Sequence, residues 1–126
     1  MKALRLKRVY ESPEPEDGTR VLVDRLWPRG LARVVAKIDL WAKDAAPSPD
    51  LRKWFGHRPD RWEEFARRYH AELAAHPEHL APIRDLAAHG VVTLLYAARD
   101  HDINHAVVLA RFLAGSPGRK ALPRKP

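Results

Sequence analysis

Three arginines and an acid–imidazole pair are the side chains of this sequence best equipped for chemistry. Arg25 and Arg29 stand four apart in VLVDRLWPRG, residues 21–30, and Arg52 lies in SPDLRKWFG, residues 48–56. A guanidinium is permanently charged and presents a planar fork of donors that matches phosphate or carboxylate. Two such forks at the end of one apolar run could grip a single anion, and Gly30 lets the backbone approach it. Asp100 and His105 fall in RDHDINH, residues 99–105. A carboxylate on a loop held by a rigid scaffold suits a general base, and imidazole titrates near neutrality. The expected chemistry is anion binding by Arg25, Arg29 and Arg52, with Asp100 and His105 as the acid–base candidates of a reaction that the residues do not specify.

Each of these groups also has a structural use. Arg25 could neutralise Asp44 or Asp100 in a buried network, because a buried carboxylate needs a partner. Asp24 shares its strand face with Leu22 and Leu26, so it is either an anchor or an orienter of a neighbouring group. Asp100 could close a turn. Asn104 suits a helix cap, and Ser48 before Pro49 reads as a cap rather than a nucleophile. Asp24, Asp44, Ser48 and Asn104 are therefore expected in supporting positions. Among seven histidines, His76 and His79 are three apart and His101 and His105 four apart, but no H-E-x-x-H string occurs. Neither a metal nor a cofactor is expected from such spacing.

The elements that must position these groups follow from periodicity and breakers. Residues Leu4 to Tyr10 and Val21 to Trp27 read as strands, the second stopped by Pro28. Lys37 to Asp44 reads as a short strand. Ser48-Pro49 opens a helix that ends at Gly56. A second helix starts at Pro59, with Trp62, Phe65, Ala66, Tyr69 and Leu73 on one stripe. Pro77 opens a third that closes at Gly90, with Pro82 inside it to shorten or bend it. Val91 to Ala97, VVTLLYA, is almost wholly apolar, as a strand covered on both faces must be. Asn104 or Asp102 then caps a last helix that runs to about Ala114. Strands separated by helices predict a small three-layer α/β domain, a mostly parallel sheet of about three to four strands flanked by helices. Only if the strands before Asp24 and before Arg99 run parallel do the two polar segments share an edge.

Bulk composition narrows the function classes. A chain of 126 residues fits one domain, here expected over 1–114, with a basic, disordered tail over 115–126. The net charge is +7, of which the tail carries four bases and no acid. Such charge allows loose, salt-sensitive affinity for nucleic acid, the weaker alternative to a phosphorylated small molecule or nucleotide as partner. The absence of cysteine excludes thiolate chemistry and disulfides. No apolar core follows the basic start and no apolar run could span a bilayer, so a cytoplasmic location without membrane contact is expected.

Four strings in this order, VLVDRLWPRG, KIDLWAKDAAPSPDLRKWF, WEEFARRYHAEL and VVTLLYAARDHDINHAVVLARFL, resemble the YeaO-like family of small bacterial proteins, a domain of unknown function, over roughly residues 3 to 114. The resemblance implies an enzyme-like α/β domain without an established substrate. It places the family's polar motif positions at Asp24, Arg25, Arg29, Asp44, Ser48, Arg52, Asp100, Asn104 and His105. Arg99 stands where the family often has Lys. A methyltransferase label carried by some members finds no support here, since no Gly-rich loop follows the first strand.

Overall fold

The computed structural model describes residues 4–115. Four strands, β1 (Leu4–Arg8), β2 (Thr19–Leu22), β3 (Leu40–Trp41) and β4 (Val92–Tyr96), form one sheet in the order β1-β4-β2-β3. Every pairing is parallel: Leu4 and Thr19 flank Val92 from either side, and Val21 lies opposite Leu40. The fold is α/β, and all five residues of β4 are buried at its centre. Because the strands run one way, the segments that leave β2 and β4 emerge at the same edge.

Five α-helices lie among the described residues: α1 (Arg33–Ala36), α2 (Pro49–Phe55), α3 (Trp62–Ala75), α4 (Ala81–His89) and α5 (His105–Ala114). Side chains alternate across a strand, so the sheet has two distinct faces. Val21, Val23, Val92, Leu94 and Tyr96 pack on one side with the apolar faces of α2 to α5. Leu22, Leu95 and Val9 face the other way, under Trp27, Leu31 and Ile38 from the β2–β3 connection and Trp41 of β3. Phe55 stacks on Phe65 at 4.2 Å between ring centroids, joining α2 to α3.

Several boundaries differ from those read in the sequence. β2 ends at Leu22 rather than Trp27. The Val23 N–H still donates to the Leu95 carbonyl at 3.0 Å, but the next backbone partner, the Ala97 N–H, is taken by the Asp24 carboxylate instead. An apolar run carries no sign of that substitution. β3 is only two residues long, Leu40 and Trp41, and lies opposite Val21 and Leu22 of β2. Pro77 opens a separate 3-10 turn, and α4 begins at Ala81, so Pro82 sits in the first turn of α4 and bends nothing. A first-turn proline lacks only an N–H that would be unpaired anyway. The caps read from sequence hold: Ser48 Oγ accepts from the Leu51 N–H, Gly56 takes a left-handed conformation, and Asn104 Oδ1 accepts from the Val107 N–H.

A charged network closes the end of the sheet opposite the polar segments. Asp17 is fully buried and accepts from Lys7 Nζ at 3.1 Å, Arg20 Nη1 at 2.5 Å and the Glu14 N–H at 3.0 Å. Arg20 also donates to the carbonyl of Ala36, which fixes α1. Burial pushes the Asp17 carboxyl up, but the Glu14 amide, Lys7 and Arg20 outweigh it and hold the group below its ordinary value. Its ionised form therefore stabilises the fold above about pH 4, and that contribution is lost as pH falls through the depressed folded value. Thermal unfolding followed by circular dichroism should show a falling Tm on acidification from about pH 4 downward. Asp17→Asn should cost about 3 kcal/mol at neutral pH, since it leaves Lys7 and Arg20 without their buried partner. Beside it, Gly18 has φ +62°, and a Cβ there would lie 2.3 Å from the Val91 carbonyl oxygen. Gly18→Ala should destabilise by at least about 1–3 kcal/mol in urea unfolding, from backbone strain alone.

Candidate functional site

A hollow of about 240 Å³ opens where β2 and β4 end. Its polar lining comes from four places in the chain. Asp24 and Arg25 follow β2, Arg52 projects from α2, His57 follows α2, and Asn104 and His105 begin α5. Phe55, Phe65, Leu26 and Pro47 supply apolar walls.

Asp24 and His105 form its inner pair. His105 Nε2 lies 3.0 Å from the Val23 carbonyl oxygen and 3.0 Å from Asp24 Oδ1. Both neighbours are acceptors, so Nε2 carries a proton and donates to Val23, while Asp24 Oδ1 approaches without hydrogen-bond alignment. The second carboxylate oxygen accepts from the Ala97 N–H at 3.1 Å, and the Asp24 carbonyl accepts from Trp41 Nε1 at 2.8 Å. Asp24 is thus an anchor of the strand ends, and its other carboxylate oxygen lies beside the imidazole. Below them Tyr69 is fully buried and donates to the Ala45 carbonyl. Burial raises its hydroxyl pKa well above the ordinary value, helped by the Glu72 and Asp24 carboxylates, so it stays neutral.

The arginines divide. Arg25 donates through Nε to the Pro47 carbonyl and through Nη2 to the Ala46 carbonyl, both at 3.3 Å, and Nη1 lies 3.9 Å from Asp44. The loop before α2 thereby steadies this side chain with donors to spare. Arg52 is exposed and pairs with no acid among the described residues. Arg29 is exposed and lies outside the hollow; its carbonyl accepts from the Tyr10 hydroxyl. Gly30, the residue after it, takes a left-handed conformation with φ +74°.

The remaining sequence-read positions fall as follows. Asp100 is exposed and does not line the hollow. Its Oδ1 accepts from the N–H groups of Asp102 and Ile103 at 2.8 and 2.9 Å, a turn that delivers the chain into α5. The Ile103 and Asp102 amides hold its carboxyl below the ordinary value, in the ionised form. Asn104 is buried, caps α5 and donates to the Asp100 carbonyl. Ser48 and Asp44 line a neighbouring cavity of about 220 Å³, where Glu72 accepts from both the Ser48 N–H and its hydroxyl. Sequence reasoning passed over His57 and Glu72. His57 follows Gly56 with φ +59°, an uncommon conformation that no local pattern announces. Glu72 lies 24 residues from the cap it completes.

Taken together these features define a parallel α/β domain with a basic hollow at the carboxyl ends of its strands. The chain belongs to the YeaO-like proteins of the DUF488 group: the family model described as the inactive DUF488-N3 subclade matches residues 3–124. An uncharacterized protein of Mycobacterium tuberculosis is 46% identical over 112 residues, 89% of this chain and 94% of the relative. The Escherichia coli protein YeaO, also uncharacterized, is 43% identical over 110 residues, 87% and 96% of the two chains. No solved structure matches the chain significantly. Of the basic segment 115–126, all but Gly115 lies outside the described residues, and among those residues no helix is long and apolar enough to cross a membrane.

Asp24→Ala removes the acceptor of the Ala97 N–H. It should cost about 1–3 kcal/mol in chemical unfolding, the usual consequence of a buried donor left unpaired.

Proposed function

We propose that this domain binds a small phosphate- or carboxylate-bearing molecule in the hollow between β2 and β4, and holds it without turnover. The observation that carries the reading is the charge of the lining. Two guanidinium groups, Arg25 and Arg52, meet a single carboxylate, and that carboxylate already faces His105. Arg52, with no acid of its own, is the donor left for a ligand. Open α/β sheets hold their ligands at this position, outside the carboxyl ends of the strands.

Binding without chemistry is favoured by what the lining lacks. Among the described residues that form it there is no Ser, Thr, Cys, Lys or Tyr, and the Asp24 carboxylate lies against His105 and accepts from the Ala97 N–H. Asp100, the base expected from sequence, has both its carboxylate and its loop engaged in the turn before α5. The family's description as an inactive subclade agrees with this reading.

Titration with inorganic phosphate and with nucleoside monophosphates, followed by amide NMR shifts, tests the reading. Saturable shifts are expected at Leu26, Ala98 and His105. Arg52→Ala should weaken binding about tenfold to a hundredfold, the worth of one charge-assisted hydrogen bond. Unchanged affinity in that variant, or no saturable shift around the hollow at millimolar ligand, overturns it.

A further inference from the structure

A second constellation lies in the turn between α3 and α4. His76, Pro77, Glu78 and His79 form a single 3-10 turn in which the His79 N–H donates to the His76 carbonyl and the Leu80 N–H to that of Pro77, each at 3.0 Å. Pro77 restricts the backbone, and Leu80, fully buried, anchors the turn in the core. Three side chains project from this rigid base. Glu78 Oε2 lies 3.2 Å from His76 Nδ1 and 3.6 Å from His79 Nε2. A ligand atom from each of the three falls within 4.8 Å of the others.

We propose that His76, Glu78 and His79 form a binding site for a divalent transition metal, zinc in the first place. In tetrahedral zinc the bonds are about 2.0–2.1 Å, which sets neighbouring ligand atoms roughly 3.3 Å apart. The two separations to Glu78 already stand near that value. Two imidazoles and one carboxylate select zinc, copper or nickel over magnesium and calcium, which prefer oxygen ligands throughout. The imidazole planes lie within 15° of parallel with centroids 4.9 Å apart, so both rings must turn to direct their lone pairs at one ion. His76 is exposed and His79 half-buried, which leaves them room to do so. Three protein ligands leave a fourth position open. His76 and His79 also line the cavity shared with Ser48, Glu72 and Arg25, which offers space for a water or a ligand oxygen.

A purely structural use explains these side chains less well. Exposed ion pairs contribute little to stability. The turn is already held by its own backbone bonds, by Pro77 and by Leu80, and needs no His–Glu contact to form. The site is separate from the basic hollow, and its test is independent of the anion.

Calorimetric titration of the full chain with Zn²⁺ should show one zinc per chain at micromolar affinity or tighter. Co²⁺ in its place should give visible d–d absorption of a site of low coordination number. His79→Ala and Glu78→Gln should each weaken zinc binding at least about tenfold and abolish the cobalt bands, with metal-free Tm unchanged. His89→Ala, on the surface elsewhere, should keep wild-type affinity. No zinc binding at high micromolar concentration, or wild-type affinity in the His76→Ala/His79→Ala double variant, overturns the proposal.

Discussion

The carboxylate of Asp24 ties β2 to β4 at the point where their ladder stops. One oxygen accepts the Ala97 N–H and the other stands beside His105. From the opposite flank, Arg8 donates to the carbonyls of Ala97 and Ala98. A parallel sheet has to end, and the backbone groups released there must be paired again. Here two side chains from the neighbouring strands do it. The strands can then diverge without orphaned donors, and the space between them becomes the hollow. The position of Arg25, the seat of His105 and the entry into α5 all follow from that divergence.

Charge is distributed in two different ways along the sheet. At one end Asp17, Lys7 and Arg20 form a closed set, in which the buried carboxylate accepts from both cations and from a backbone amide. Such a set can only stabilise or fail, because no donor is left for a ligand. At the other end Arg25 keeps part of its donor set free and Arg52 pairs with nothing among the described residues. The same residue type therefore does structural work at position 20 and is available for recognition at position 52. The difference is one of burial and partners.

Much of the secondary structure was legible because its determinants are local. A serine before proline, a glycine past the last turn and an asparagine before an apolar stripe each act within four residues, and each cap stands where it was read. The apolar run 91–97 fits only the centre of a sheet. Boundaries that depend on distant partners were not legible. The end of β2 is set by a hydrogen bond across 73 residues, and the harmless place of Pro82 by a separate turn at Pro77.

The same division holds for the site. The sequence by itself determined the class of fold, the caps and the family, since these rest on residue type and short spacing. It also marked out Arg25, Arg29 and Arg52 for an anion and Asp100 with His105 for acid–base chemistry, with Asp24 in a supporting position. Only the tertiary structure decided which of the polar residues share a space. It left Arg29 exposed and outside the hollow, engaged Asp100 in a turn of its own, and set Glu78 between two histidines. The reason is geometric: side-chain direction at a strand end depends on which neighbour supplies the next hydrogen bond, and that neighbour is chosen by the fold.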